Sequence, residues 1–498
     1  MRITELFSFR GRYRMLHMTW FAFFVCFVLW FNTAPLSTAI RKDLGLNVAE
    51  IRTVIVCNLA LTIPARIFIG ILIDRFGPRK VFSILLICAL FPALATAMAQ
   101  TYPQLVWSRV AMSVVGAGFV VGIRMMAEWF PPKDVGAATG LYGGWGNAGA
   151  AFSAIALPLV ATSTAYLYAG QFNWRLPIAL TGIFAAIYGV VYYVVVRDTP
   201  PGKTYWSPRP TKLGLEVTTK KDFWLLLIMN FPMVGALGVF AWRLSKVKIL
   251  SPTVLYITWI GLVGLYALQT YVTWVANRDL LSGKTRFLPQ ERYEFTQVAL
   301  LQLTYFVNIG SALSVVSMLP MFFEKNFGLT PVVAGLAAAV YSIMNLVTRP
   351  MGGVLSDVIG RKWTLTLLLA GMGVSYMIMG TVDSNWWLPH AIAIVICFAI
   401  FVQSSGGATY AIVPLMKKPL IGQIGGNVGA YSNIAGILYL TLYSLLPAGG
   451  EGDKIFFQTL GVASLIVAFI CLFLLKEPKP AIQDEEELQL VPQPAAPN

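Results

Sequence analysis

The sequence predicts an all-α polytopic membrane protein made of two pseudo-symmetric six-helix halves, with an extra helix pair between them. Three observations carry this expectation. Of 498 residues, 57% are hydrophobic and only 12% charged, and the mean hydropathy is +0.70. Soluble domains carry about 25% charged residues, so a water-soluble enzyme is excluded. The apolar residues fall in runs of helix length instead of the ~10-residue alternating segments of an outer-membrane barrel, which selects helices. Finally, the same polar residues recur at matching places in the two halves.

Taken in order, charge and Pro/Gly clusters delimit six spans near 18–40, 53–73, 81–99, 108–129, 136–163 and 173–196. The first is too long for a signal-peptide core and precedes no small-residue cleavage pattern, so it is expected to persist as a transmembrane helix. A polar segment from Arg197 to Asp222, rich in Pro and Lys, leads into two further apolar runs near 223–242 and 253–276. Six more follow near 295–323, 332–355, 363–381, 389–413, 421–446 and 455–475. The expected organisation is an N-terminal half at 1–197, a central cytoplasmic loop with the inserted pair at 198–293, a C-terminal half at 294–476 and a disordered cytoplasmic tail at 477–498. Two inserted helices keep the parity, so both halves start on the same side. Arg243, Lys246 and Lys248 then sit outside, which weighs mildly against this placement and leaves a re-entrant or interface-lying pair as the alternative.

The net charge of +15 comes from 37 Lys+Arg against 22 Asp+Glu. About 24 of the 37 basic residues lie on one set of loops and about 9 on the other, with Arg66, Arg109, Arg124 and Arg349 inside spans. This is the positive-inside pattern, and it puts both termini in the cytoplasm of a multi-pass protein of the cytoplasmic (inner) membrane. No basic stretch with interleaved aromatics reads as a nucleic-acid surface, so the expected surroundings are the lipid bilayer. The five cysteines lie within apolar spans without metal-ligand spacing and read as small buried hydrophobes. His17 and His390 sit near span ends, and no metal or cofactor is expected.

The repeat is legible residue by residue. The second span ends Arg66-Ile-Phe-Ile-Gly70-Ile-Leu-Ile-Asp74-Arg75-Phe-Gly77-Pro-Arg79-Lys80, and its counterpart ends Arg349-Pro-Met-Gly352-Gly353-Val-Leu-Ser-Asp357-Val-Ile-Gly360-Arg361-Lys362. Arg, Gly, Asp and Gly recur at offsets 0, 4, 8 and 11. Internal duplication of this kind marks secondary transporters with a central site between the repeats. Asp74 and Asp357, where spans meet the basic loops, are expected to latch neighbouring helices in a gating loop with Arg75, Gly77, Arg79, Gly360 and Arg361. The Gly70-x-Leu72-x-Asp74-Arg75-Phe76-Gly77-x-Arg79-Lys80 segment resembles the loop signature of the major facilitator superfamily, and Arg109 followed by Gly116 resembles its fourth-helix pattern. The resemblance covers both halves and implies a major facilitator fold.

Arg66 and Arg349 lie deep in apolar helices at equivalent positions. A buried charge costs at least ~2.5–3.5 kcal/mol, so intramembrane charges face a cavity and mark a pathway. No acid stands in the flanking turns, so the expected counter-ion is a transported anion, and the planar fork of guanidinium suits a planar oxyanion. The fifth span holds Gly140-Leu-Tyr-Gly143-Gly144-Trp145-Gly146-Asn147-Ala-Gly149, and the eleventh of the repeat holds Gly422-Gln-Ile-Gly425-Gly426-Asn427-Val-Gly429. Glycine is roughly 1 kcal/mol worse than alanine in a helix. Close crossing and sliding at the pore give these clusters a reason, and Asn147 and Asn427 add an amide to each half.

These glycine runs resemble the signature of the nitrate/nitrite porter family, in its bacterial and cyanobacterial nitrate permease branch. Gly11-Arg12-Tyr13-Arg14 onward and Ala127-Glu128-Trp129-Phe130-Pro131-Pro132 are similar to that branch too. The resemblance implies that Arg66 and Arg349 clamp the anion, with Asn147, Asn427 and Tyr305 donating hydrogen bonds and Phe119 lining the cavity. The chain departs from the family at Ile309 and Ala312, where phenylalanine is usual. For coupling, Glu128 is the one acid within a span, four residues after Arg124, and it reads mainly as that arginine's ion-pair partner. The expected function is alternating-access uptake of nitrate, with nitrite as a further substrate, by proton symport or nitrate/nitrite exchange, in a protein functional as a monomer. The alternatives are a carrier of another small anion and a nitrate-binding membrane sensor.

Overall fold

The computed structural model describes residues 8–130, 132–168, 170–202, 214–284, 287, 292–416, 421–447 and 449–477. Among the described residues it is all-helical. Thirteen helical stretches among the described residues are long and apolar enough to cross a membrane. In chain order the first twelve are α1 (Gly11–Asp43), α2 (Val48–Gly70), α3 (Pro78–Ala97), α4 (Tyr102–Met126), α5 (Ala138–Ser163), α6 (Arg175–Val195), α7 (Lys220–Lys246), α8 (Pro252–Ala276), α9 (Phe295–Phe327), α10 (Pro331–Ser356), α11 (Arg361–Met379) and α12 (Leu388–Ile412). Next comes α13 (Ile421–Leu445), of full crossing length but enriched in Gly, Asn and Tyr. The last stretch is α14 (Gly450–Leu474). The inserted pair thus forms two helices of 27 and 25 residues, each long enough to span.

Helix starts follow their sequence signals. Asn47 and Glu50 form a reciprocal capping box at α2, at 2.9 and 2.8 Å, and Thr101 with Gln104 forms another at α4. Thr219, Ser251 and Thr330 accept the third backbone N–H of α7, α8 and α10. We call the end of the bundle where α1 starts and α14 stops proximal, and the opposite end distal.

The proximal loops repeat a device that the sequence does not advertise. Just after α6, Asp198 Oδ1 accepts from Arg79 N at 2.7 Å at the start of α3. Just after α14, Glu477 accepts from Arg361 N at 2.7 Å and Lys362 N at 2.9 Å at the start of α11. Each carboxylate meets the positive end of a helix. Gly77 (φ 84) and Gly360 (φ 105) occupy the backbone region that favours glycine, and a Cβ on Gly77 would lie 2.7 Å from the Asp198 carboxylate. Arg79 Nε and Arg361 Nη1 donate to Tyr193 O and Ala411 O, both at 2.6 Å. The caps seen here therefore come from the ends of α6 and α14, 119 and 116 residues downstream. The side chains of Asp74, Arg75 and Asp357 lie outside the described residues, so the expected latch does too. The tail beyond Glu477 is likewise outside them.

The cysteine reading needs correction. Cys26, Cys57 and Cys471 are buried, but Cys88 and Cys397 are exposed on the bundle's outer surface, where hydrocarbon accepts a thiol as readily as a core does. Arg109 is fully buried and tied to neutral partners: Nε to Asn58 Oδ1 and Nη1 to Asn32 Oδ1, both at 2.8 Å, and Nη2 to Trp30 O at 2.9 Å. It holds α1, α2 and α4 together.

The halves meet along two seams. On one, α5 and α10 approach so closely that a Cβ on Gly335 would lie 2.0 Å from Ala154 O, and one on Gly144 2.9 Å from Asn345 O. On the other, a Cβ on Gly436 of α13 would lie 2.4 Å from Leu59 of α2. Helix α7 packs on α13 and α9 through Phe223, Leu226, Asn230, Met233, Phe240 and Leu244, spaced by helical turns. Helix α8 leans on α7, with Trp259 Nε1 donating to Gly238 O (3.1 Å) and Tyr266 Oη to Leu227 O (3.0 Å).

Candidate functional site

A cavity lies between the halves, lined by Arg66 of α2, Phe119 of α4, Asn147 of α5, Tyr305 of α9 and Arg349 of α10. Its floor and walls add Phe23, Phe27, Trp30 and Phe31 of α1, all buried. Five of the six residues expected to bind substrate are thus brought together from five helices.

Arg66 and Arg349 are 8% and 5% exposed, and the guanidinium carbons lie 5.7 and 6.0 Å from the centroid of the same Phe119 ring. One aromatic ring therefore sits against both charges, a cation–π arrangement at the cavity. Arg349 Nη2 donates to Tyr305 Oη at 2.9 Å. Arg66 Nη1 donates to Gly429 O, while its Nε is buried without a partner. Among the described residues neither arginine forms an ion pair with an acid. The result is two positive charges in a low-dielectric site with incomplete compensation, an arrangement whose charge suits an anion.

Asn427 is the exception. It does not line the cavity: it stands two residues before Gly429, roughly 200° away around the helix, and α13 presents Gly429 O to Arg66 and Ser432 to the cavity in its place. The two glycine clusters also differ. On α5, a Cβ on Gly146 or Gly149 would lie 2.2 Å from Phe23 or Phe24 O of α1, and one on Gly143 would lie 3.5 Å from the Arg349 guanidinium carbon. On α13, Gly429 is tight against Tyr410 Oη (3.0 Å) and Arg66 Nη1 (3.2 Å), but Gly425 has only ordinary contact and Gly426 faces open space. Close crossing thus explains Gly144, Gly146, Gly149 and Gly429 and leaves Gly140, Gly143, Gly425 and Gly426 unexplained.

Several site residues escaped the sequence reading. Tyr410 of α12 sets its ring against both Phe119 (5.7 Å) and Tyr305 (5.0 Å) and donates to Gly425 O at 2.8 Å. Tyr142 stacks on Phe23 at 5.0 Å and donates to Gly118 O at 2.9 Å. Ser342, Asn345, Gln403 and Ser432 add polar lining. Asn345 was legible in principle, standing one helical turn before Arg349. Ile309 and Ala312 line the cavity as well, and the α1 aromatics supply the ring surface that they lack. Outside the cavity, Arg124 Nη2 meets Glu128 Oε1 at 2.9 Å, the ion pair that their spacing predicts.

The cavity measures about 30 Å³, on a scale where one water needs roughly 10–15 Å³. That is the size of an ion of a few heavy atoms and well below that of a drug-sized ligand site.

Among solved structures, the xylose transporter XylE from E. coli in a partially occluded inward-open conformation matches with a TM-score of 0.62 at 14% identity, covering 94% of this chain and 100% of that one. A bacterial homologue of the human lysosomal transporter Spinster matches at 0.59, with 14% identity over 94% and 99% of the two chains. At that identity these likenesses establish the fold alone: two repeated six-helix halves around a central cavity. The sequence model of the Major Facilitator Superfamily matches residues 19–292 and 299–497. The nitrate/nitrite transporter NrtP of Nostoc punctiforme is 55% identical over 480 residues, 96% of this chain and 95% of that protein. NrtP of Picosynechococcus is 51% identical over 97% and 96%, and the high-affinity nitrate transporter 2.3 of Oryza sativa is 26% identical over 87% and 72%. The chain belongs to the Major Facilitator Superfamily and, within it, to the family of these nitrate/nitrite transporters. It is a multi-pass membrane transporter and not an enzyme.

Proposed function

We propose that the protein carries nitrate, and nitrite, into the cell across the cytoplasmic membrane, holding the anion between Arg66 and Arg349 and exposing it alternately to each side. The observation that carries this is the pair of buried guanidiniums, without an acid partner among the described residues, against one Phe119 ring in a cavity of ion size. Nearly full-length relatives named as nitrate/nitrite transporters support nitrate and nitrite as the ions.

In this reading residues 1–197 and 294–476 are the rocking halves and 198–293 the insertion between them. Both termini lie in the cytoplasm, where the basic loops place the proximal end, and one chain is the working unit. The planar anion accepts from both forks in its own plane, with Tyr305 and Asn147 donating beside them. Glu128 is engaged by Arg124, so symport through Glu128 would have to break that pair, whereas exchange needs no titrating group.

Uptake of labelled nitrate into proteoliposomes tests the proposal, comparing an inward proton gradient with vesicles preloaded with nitrite. Uptake with the gradient alone assigns symport, and uptake driven by internal nitrite assigns exchange. Absence of uptake in both, with folded protein, overturns nitrate as the substrate.

A further inference from the structure

Helix α7 belongs to neither repeat, yet its last turn bonds to both halves at once. Arg243, 4% exposed, donates from Nε to Thr53 Oγ1 at 3.0 Å and from Nη2 to Ala49 O at 3.0 Å, both at the distal start of α2. The same Nη2 reaches Ser444 O at 3.3 Å, at the distal end of α13. Beside it Arg52, 2% exposed, donates from Nη1 to Tyr443 O at 2.7 Å and to Leu446 O at 3.0 Å. Its guanidinium carbon lies 4.0 Å from the Tyr443 ring centroid.

The last carbonyls of α13 have no donors within their own helix. Here guanidiniums from α2 and α7 supply them, and positive charge suits a helix C-terminus. The rest of α7 travels with the C-terminal half, through its apolar stripe on α13 and α9 and through Tyr431 Oη donating to Met229 O at 2.5 Å. The bonds from Arg243 to Thr53 and Ala49, together with those from Arg52 to Tyr443 and Leu446, must therefore break when α2 and α13 part. A second, smaller cavity continues the central one distally along α1, α5, α9 and α10, past Ala34, Pro35, Ala154 and Ala338; it is the space such a parting would open to water.

We infer that α7 is the bolt of the distal gate: Arg243 ties the start of α2 to the end of α13, holds the distal side closed, and so sets the balance between the two orientations of the central site. This rests on the reading that the halves rock about that site, and it assigns a role to the inserted pair.

The test is thiol labelling of the full-length purified protein bearing Ala34→Cys or Ala338→Cys, using a charged maleimide and subtracting the label taken up without the added cysteine. Arg243→Met keeps the apolar stem and removes the donors, and it should raise the labelling rate at least ten-fold. Arg243→Lys should raise it less. Thr53→Val, which removes an acceptor and no charge, should move it the same way by a few-fold and guards against a folding artefact in the arginine variants. Unchanged labelling in Arg243→Met and Thr53→Val, both monodisperse with native melting, overturns the bolt. Because labelling needs no anion, a protein that fails to carry nitrate can still show the bolt, and one that carries nitrate normally can still lack it.

Discussion

At Arg349 the structure supplies one phenol, Tyr305 Oη at 2.9 Å, and at Arg66 one carbonyl, that of Gly429. A lysine at either position keeps the charge but loses the planar fork, so Arg66→Lys and Arg349→Lys should each lose about 90% or more of anion uptake while inserting and melting as the parent does; uptake in proteoliposomes checks this. Tyr305→Phe removes a hydrogen bond to a charged group, worth about 1.5–3 kcal/mol. It should raise the KM for the anion roughly ten-fold with a smaller effect on kcat. The arginines were legible because a charge inside an apolar run is rare and the repeat shows it twice. Tyr410 and Trp30 were not, since an aromatic in an aromatic-rich helix carries no mark until the fold turns it inward. Asn427 misled for the converse reason: an asparagine recurs in both glycine runs, but helical rotation turns this one away from the part of α13 that reaches the cavity.

The elements are held by contacts that differ sharply between glycines of similar sequence setting. Gly335→Ala would push a methyl into Ala154 O, 2.0 Å away, and overpacking of that kind costs about 1–3 kcal/mol. It should lower the melting temperature by a few degrees and slow transport, whereas Gly426→Ala, inside a helix and facing open space, should raise melting slightly. At the proximal loops, Asp198→Ala removes the acceptor for Arg79 N and should cost about 0.5–2 kcal/mol, as loss of a helix cap does. Asp198→Asn retains an oxygen acceptor and should cost less in the same thermal melt. The sequence located these loops through Gly77 and Gly360 but not their caps, because Asp198 and Glu477 arrive from the far ends of α6 and α14 and no local pattern ties them to the loop.

For the molecule as a whole, an anion that binds the folded carrier between its halves must also stabilise it. Nitrate at about a hundred times its Kd should add about 2.7 kcal/mol, read as a rise in melting temperature that chloride does not reproduce and that Arg66→Lys abolishes. The fourteen helices and their pairing into repeats were legible because hydropathy and duplication are long-range patterns that survive any local ambiguity. The role of the inserted pair was not: Arg243 read as a topological irritant at the wrong end of a helix, and only packing shows that its charge is spent on backbone carbonyls of both halves. The pair's second member extends the point. Only 6% of the most apolar stretch of α8 is buried, and its 25 residues rise about 37 Å, more than the ~30 Å of a bilayer's hydrocarbon. A rod that long, gripped along one side only, meets the mismatch by leaning. Since Trp259 and Tyr266 fasten it to the backbone of α7, a thinner or thicker membrane tugs on the same helix whose tip closes the distal end.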